Sequence, residues 1–239
     1  GGRGGRGGGR GGNRGPDAQV DLKVSLEEVY AGATRTAGVS RRVVCRGCKG
    51  LRPGTAEFNA KCASCARCPP ETRLVQRQMA PGFVVQQQEQ VPSKDFCKSE
   101  KAELDAVIER GVADGAKLTF ERMSEQTPGQ IPGDVHLTVR IARHRRFERK
   151  GDDLYTDLHV TLREALTGFE KGIVHLDGRE VKVSRAGKVT KPFEVVKLRG
   201  EGMPVHNFPS QAGTLHVRVL VDFPADLNEA QRQVIADHF

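Results

Sequence analysis

The chain has 239 residues, of which 37% are hydrophobic and 28% are charged. This length can hold two domains of ordinary size, and no apolar run approaches the roughly 20 residues of a membrane-spanning helix, so we expect no membrane span. Half of the net charge of +8 lies in residues 1–16, which hold four arginines and no acid, so the body of the chain lacks the strong basic excess of many nucleic-acid-binding domains.

Residues 1–16 are rich in glycine and arginine. Ten glycines in this segment cannot bury a core, so we interpret it as a flexible linker. Arg-Gly-Gly repeats also occur in RNA-binding arms, but no Phe or Tyr is interleaved here on which bases could stack. An RNA-binding protein that acts through this arm is therefore kept only as an alternative, and we do not expect nucleic acid as a partner.

The segment after the linker alternates between apolar and polar residues. Val20, Leu22 and Val24 recur with the period of two that predicts a half-buried strand. A short helical turn over residues 27–30 follows, and residues 34–44 are again β-rich. After a long cysteine-bearing stretch, residues 135–141 predict the closing strand of this module.

A second segment repeats this pattern further along the chain. Residues 154–162 alternate in the same way, a turn leads to Gly168, and Asp177-Gly178 predicts a hairpin. Residues 215–221 predict the closing strand. Residues 226–239 predict a helix with a partial apolar stripe.

The two segments are copies of one module. The opening strands are offset by 136 residues and the closing strands by 80, so the first copy holds about 56 extra residues, which include all six cysteines. We therefore predict an all-β fold with little helix: two tandem β-sandwich-like modules, the first interrupted by a cysteine-rich insert, and a C-terminal helix. The predicted boundaries are 17–44 and 98–145 for the first module, 45–97 for the insert, 146–224 for the second module and 225–239 for the helix.

The cysteine spacing leaves several interpretations open. Cys45 and Cys48 form one C-x2-C pair, Cys62, Cys65 and Cys68 form a C-x2-C-x2-C run, and Cys97 stands alone. Two complete zinc sites would need eight ligands, and no histidine lies in the insert. One Zn²⁺ bound by four cysteines beside one disulfide fits the count, and so do three disulfides with 15 connectivities. The even count favours an oxidising compartment.

A thiol-disulfide oxidoreductase is a further alternative for these motifs. A redox-active C-x2-C needs a lowered thiol pKa, usually at a helix N-terminus in a βαβ setting. Gly, Pro and Arg surround the pairs here, and no βαβ pattern is present. We also find no nucleophile elbow, phosphate loop or metal-hydrolase histidine pair, so we do not expect an enzyme. His136 and His216 occupy equivalent repeat positions, which indicates a structural role.

Ordered motifs over nearly the whole chain resemble the C-terminal substrate-binding region of DnaJ-like co-chaperones, the forty-kilodalton heat-shock class. The motifs are Val24-Ser25-Leu26-Glu27-Glu28-Val29-Tyr30-Ala31-Gly32, Cys45-Arg46-Gly47-Cys48-Lys49-Gly50, Arg77-Gln78-Met79-Ala80-Pro81-Gly82, Ile131-Pro132-Gly133-Asp134-Val135, His144 to Phe147, Gly151-Asp152-Asp153-Leu154-Tyr155, Leu176-Asp177-Gly178 and Gly200-Glu201-Gly202-Met203-Pro204.

The chain also departs from the family pattern. The His-Pro-Asp signature of the J domain is absent, and the usual four Cys-x-x-Cys-x-Gly repeats, which bind two zinc ions, are reduced to one intact and one partial repeat. This reduced pattern resembles the branch found in the endoplasmic reticulum, where disulfides replace zinc. The resemblance thus implies the lumen of the endoplasmic reticulum, with the cytoplasm as the alternative. No cofactor is favoured, and a zinc ion would use Cys45, Cys48, Cys65 and Cys68.

The resemblance implies a role in holding unfolded or nascent polypeptides for a seventy-kilodalton heat-shock chaperone, contacted through the J domain and through the second module. It places the client groove on the first module. The positions that match or adjoin this groove are Ala18, Val20, Leu22, Ala37, Val39, Leu104 and Leu137. By pattern alone, each of these residues fits an ordinary core position equally well.

The resemblance also implies a homodimer joined through the C-terminal helix. The predicted dimerisation residues are Leu227, Val234, Ile235 and Phe239. The alternative is that this helix caps the core of the second module.

Overall fold

The computed structural model describes residues 14–80 and 83–238, and β-structure dominates this part of the chain. The predicted fold class is confirmed: the chain is rich in β-strand and poor in helix, with a cysteine-rich insert and a C-terminal helix. The strands are β1 (Ala18–Val24), β2 (Ala33–Val44), β3 (Ala66–Arg67), β4 (Glu71–Ala80), β5 (Phe83–Val91), β6 (Phe96–Ile108), β7 (Lys117–Phe120), β8 (Val135–Ile141), β9 (Glu148–Lys150), β10 (Asp153–Thr161), β11 (Glu170–Val174), β12 (Glu180–Ser184), β13 (Val195–Val205) and β14 (Phe208–Asp222). The helices are α1 (Leu26–Ala31), α2 (Ala56–Cys62), α3 (Leu162–Thr167) and α4 (Glu229–His238), and a 3₁₀ turn spans Arg46–Cys48.

The strands form several small sheets. Two three-stranded sheets have the orders β1-β8-β7 and β2-β6-β3, and a four-stranded sheet has the order β13-β14-β10-β9. The pairs β11-β12 and β4-β5 form separate hairpins. Within the part of the chain that the structure describes, β1 and β2 therefore each lie at the end of a sheet, where one row of backbone N–H and C=O groups has no neighbouring strand.

The described residues divide into two compact units. The first comprises residues 14–22, 36–106 and 117–139, and the second comprises residues 23–35, 107–116 and 140–238. In the first unit Val135, Leu137 and Val139 of β8 are buried, and the residues between them are half-buried. In the second unit the middle of β14 alternates: Leu215, Val217 and Val219 are fully buried, whereas His216 is half-buried and Arg218 is exposed. This period of two is what a strand with one face against a core requires.

The internal repeat extends to the helix caps. Ser25 accepts a hydrogen bond from the backbone N–H of Glu28, whose side chain accepts one from the N–H of Ser25. Thr161 and Glu164, 136 residues later, form the same reciprocal capping box. Each copy thus begins its short helix by the same local chemistry, which confirms the repeat read from the sequence.

The repeat also includes an aspartate that links two strands. Asp17 Oδ1 accepts a hydrogen bond from the N–H of Asp134 at 2.7 Å, and Asp153 Oδ1 accepts one from the N–H of Thr214 at 2.7 Å. These backbone donors are the main reason why the pKa of each aspartate lies below its ordinary value.

The two histidines that the sequence marked as equivalent approach these carboxylates. His136 Nε2 lies 3.5 Å from Asp17, and His216 Nε2 lies 3.1 Å from Asp153. Their structural role follows from this equivalence, because each histidine bridges neighbouring strands of its own copy.

Two glycines mark where strands approach closely in both copies. A Cβ at Gly133 would lie 2.1 Å from the carbonyl oxygen of Pro16, and one at Gly213 would lie 2.0 Å from that of Asp152. No side chain fits at either place, so the two positions require glycine.

The segment before Asp17 is also ordered, since the N–H of Gly15 donates to Ile131 at 2.8 Å. The rest of the predicted linker, residues 1–13, lies outside the described residues.

Glu164 is expected to remain ionised far into the acid range. The N–H of Thr161, then Lys171, hold the pKa of its carboxyl at about 2, against an ordinary value of 4.5. Because the folded pKa is depressed, its contribution to stability is fully present above pH 4.5 and is lost as the pH falls toward 2. A carboxyl-detected NMR titration measures this pKa directly. An ordinary value, or an unchanged acid-unfolding curve for Glu164→Gln, would contradict the expectation.

The insert is more regular than the sequence suggested. From the sequence we assigned no helix or strand to residues 45–97, but the insert contains α2 and the long hairpin β4-β5, which pairs Glu71 with Val91 at its base. The side chains from Val85 to Gln90 on β5 are all exposed. This part of the strand has no buried face, so its sequence lacks the alternation of apolar and polar residues that would predict a strand. Backbone hydrogen bonds between β4 and β5 hold the hairpin together.

Candidate functional site

The predicted client-binding residues all lie in the first unit, but they differ in exposure. Ala18 and Val20 on β1 are half-buried and keep part of their surface in solvent. The other five residues are buried: Leu22, Ala37, Val39, Leu104 and Leu137 are between 0% and 9% exposed. Substituting a fully buried residue such as Leu137 would test the core, since burying a side chain of this size contributes about 1.5–3 kcal/mol. Ala18 and Val20 are the positions from which the groove assignment can be tested.

The free edge of β2 can be identified from two contacts near its end. The carbonyl of Arg42 accepts a hydrogen bond from the N–H of Gln126, and the N–H of Val44 donates to the Gln126 side chain. Both groups therefore point away from β6. Since backbone groups alternate sides along a strand, those of Gly38 and Ser40 point the same way. These groups face the open edge of the sheet.

Gly38 lies in the middle of this edge. It is exposed, and a Cβ built on it would meet nothing within 4 Å. Its φ is not in the left-handed region, so the backbone does not require glycine. A glycine inside a strand often marks the close approach of another chain. The β2 edge can thus accept an added strand.

The six cysteines form three disulfides. Cys45 pairs with Cys65, and Cys48 pairs with Cys62, so two bridges join the 3₁₀ turn to the end of α2. The third bridge, between Cys68 and Cys97, ties the insert to β6. The prediction of disulfides is supported, and one of the 15 connectivities is selected.

A small apolar cluster surrounds the first two bridges. Cys45, Cys48, Phe58 and Cys62 are buried together, and Leu51, Cys65 and Phe96 pack against them. The rings of Phe58 and Phe96 meet edge to face at 4.8 Å. So few apolar side chains make a weak core, which covalent cross-links reinforce.

The zinc alternative does not fit the cysteines as they are bonded. Zinc needs thiolates, and all six sulfurs are in disulfides. The four cysteines that we named as zinc ligands also do not all lie together in the structure. The sulfurs of Cys45, Cys48 and Cys65 lie within 4.8 Å of one another, but Cys68 bonds to Cys97.

The C-terminal helix presents its apolar side chains to solvent. No residue of α4 is buried, and Val234 and Ile235 are 58% and 42% exposed. Leu227, before the helix, is half-buried, and Phe239 lies outside the described residues. The helix therefore does not cap the core of the second unit, which was the alternative to dimerisation.

Within residues 14–80 and 83–238, no helix has both the length and the hydropathy needed to cross a membrane.

Comparison with known proteins agrees with this architecture. A sequence model described as the DnaJ C terminal domain matches residues 18–224. "DnaJ protein homolog 1" of Allium porrum is 35% identical over 90% of this chain and 58% of that protein. "DnaJ protein ERDJ3B" of Arabidopsis thaliana is 35% identical over 92% of this chain and 60% of that protein. "DnaJ homolog subfamily A member 2" of Homo sapiens is 36% identical over 85% of this chain and 53% of that protein. The chain thus spans just over half the length of these relatives.

Proposed function

The chain belongs to the DnaJ C-terminal domain family, and from this premise we propose that it holds unfolded polypeptides for delivery to a seventy-kilodalton heat-shock chaperone. The observation that supports this most directly is the free edge of β2 at Gly38 and Ser40. An extended client can add to this edge as a further strand. Main-chain hydrogen bonds then supply affinity, and neighbouring apolar surface supplies a preference for apolar side chains.

The partly exposed apolar residues of β1 belong to the same proposal. Ala18 and Val20 would contact client side chains directly, and the five buried members of the predicted set would support them from the core. This is binding without covalent chemistry, so we propose no enzymatic activity.

We further propose the lumen of the endoplasmic reticulum as the native compartment. Three disulfides with no free cysteine are characteristic of oxidising compartments.

The redox-enzyme alternative lacks its basic requirement, because no bridge joins the two cysteines of one C-x2-C motif. In the oxidised form of such an enzyme those two cysteines bond to each other.

Gly38→Pro is expected to weaken client binding roughly fivefold or more, because proline removes a donor on the free edge and its ring obstructs an added strand. Gly38→Ala is the matched control, since it keeps the N–H and its Cβ meets no neighbour within 4 Å. Fluorescence anisotropy with a labelled, carboxymethylated, permanently unfolded polypeptide measures the affinity. Circular dichroism verifies that both variants fold.

Equal affinities of folded Gly38→Pro and Gly38→Ala variants would place client binding elsewhere.

Deletion of residues 1–13 distinguishes the chaperone proposal from the RNA-binding alternative. Client binding that survives this deletion supports the chaperone proposal, whereas salt-dependent RNA binding that disappears with it would support the arm.

A further inference from the structure

The second unit contains a cavity of about 1010 Å³ that client capture does not use. It lies on the outer face of the sheet β13-β14-β10-β9. Tyr155 on β10 and its register partner His216 on β14 contribute to its floor, while the segment before β9 forms a wall. Every lining residue belongs to the second unit, whereas the proposed client edge belongs to the first.

The charges around this cavity are unbalanced. Six Arg or Lys side chains line it against three Asp or Glu side chains. Each acid already has a partner: Asp157 bonds Arg218 through both oxygens, at 2.7 and 2.8 Å, Glu148 pairs with Lys150 at 3.3 Å, and Asp114 accepts the N–H of Ile141 at 2.8 Å.

Three arginines on this wall lack an acidic partner among the described residues. Arg143, Arg145 and Arg146 are exposed, and within the part of the chain that the structure describes their guanidinium groups form no ion pair. Unpaired guanidinium groups clustered at a concave surface attract carboxylates, which they can bind through two parallel hydrogen bonds.

The wall that carries these arginines is held in place. His144 Nδ1 accepts hydrogen bonds from the N–H groups of Arg146 and Phe147, and its Nε2 lies 3.1 Å from Glu27. Two donors at Nδ1 mean that the ring proton is on Nε2, facing that carboxylate. The Phe147 ring is buried against His144, and the Arg149 guanidinium donates to three backbone carbonyls. The arginines thus project from a fixed turn.

The remaining lining favours a peptide over nucleic acid. Base stacking needs a free aromatic face. The Tyr155 ring stacks on His216 at 4.6 Å, and the Lys150 Nζ lies 4.8 Å from its centroid, while Phe147 is buried. Val195, which is 44% exposed on the opposite side, offers an apolar contact that a phosphate backbone would not use.

We propose that this cavity binds an acidic, extended peptide segment of a partner protein, with its carboxylates on Arg143, Arg145 and Arg146 and an apolar side chain against Val195. This site is separate from the client edge. A protein that binds here can be held by the same chain that holds an unfolded client.

The test uses a labelled peptide with alternating Glu and Leu residues and a second peptide in which every Glu is Gln. The triple variant Arg143→Ala/Arg145→Ala/Arg146→Ala in the full chain is expected to bind the Glu peptide roughly tenfold more weakly, since exposed ion pairs contribute modestly and add up. The triple variant Arg163→Ala/Lys188→Ala/Arg199→Ala removes the same charge from elsewhere in the second unit and should bind like the unmodified chain.

Several results would overturn the proposal. These are equal binding of the Glu and Gln peptides, equal weakening by both triple variants, or tighter binding of single-stranded RNA at the same three arginines. A fall in molecular mass by light scattering in the first triple variant alone would assign the cavity to a second copy of this chain. Unchanged binding of the unfolded client in that variant keeps this test independent of the proposed function.

Discussion

Cys68→Ala combined with Cys97→Ala is expected to lower the free energy of unfolding of the insert by about 2–4 kcal/mol. This bridge closes a segment of 29 residues that contains the hairpin β4-β5. It also anchors the end of the insert to β6, where Ala66 pairs with Cys97. Without it, the unfolded insert gains the conformational freedom of that whole segment. Hydrogen exchange of the amides in β4 and β5 measures the loss locally.

The matched control is Cys45→Ala combined with Cys65→Ala. This bridge spans 20 residues, but the Cys48–Cys62 bridge lies inside it and spans 14. With the inner bridge intact, only two short segments gain freedom, so the loss of stability should be smaller than for Cys68 and Cys97. Equal or reversed losses would contradict this order. Mass spectrometry of native protein tests the premise, because six free thiols or bound zinc would show that the bridges do not form.

The sequence carried enough information for the repeat but not for the connectivity. Equivalent residues such as Ser25 and Thr161, or Asp17 and Asp153, have the same chemical role in both copies, so short-range pattern predicted architecture. Disulfide pairing depends on which cysteines the fold brings together. That placement depends on α2 and on the apolar contact of Phe58 with Phe96, which spacing alone does not encode.

For the client groove and the basic cavity as well, the sequence predicted the local pattern, and the structure was needed to show which side chains are exposed. Alternating Val and Leu residues predicted a strand, but only the structure distinguishes half-buried Val20 from fully buried Leu137. Arg145 and Arg146 were visible within the family motif from His144 to Phe147, and Arg143 directly precedes that motif. The cavity that these arginines line depends on the register of β10 with β14, which places Tyr155 beside His216 on its floor. Register depends on side-chain packing between strands that the sequence does not specify locally.

Deletion of residues 226–239 is expected to halve the molecular mass measured by light scattering while leaving the β-spectrum intact. The physical reason is the exposure of Val234 and Ile235 on α4, together with Phe223 at 69% exposure just before it. Apolar side chains exposed together on a helix and its approach favour burial against a partner. We propose that the partner is the same helix of a second copy.

Dimerisation would also change how the chain binds its clients. Two weak edges joined in one dimer raise the effective concentration of the second edge, so affinity for a long unfolded chain should fall on deletion by roughly 10²-fold where both edges can engage. A short peptide reaches only one edge, so its affinity should not change. Comparing the two probes separates loss of avidity from damage to the binding edge itself.

Point variants test the same interface without shortening the chain. Val234→Glu with Ile235→Glu places two charges on the apolar side of α4 and should give a monomer. Gln233→Glu with Ala236→Glu adds the same charge on the opposite side, at about 100° per residue around the helix, and should leave the dimer intact. A monomeric unmodified chain at micromolar concentration, or dissociation of both variants alike, would refute the assignment of α4 as the dimer contact. Dissociation of the first variant alone would locate the contact on the exposed apolar face that Val234 and Ile235 form.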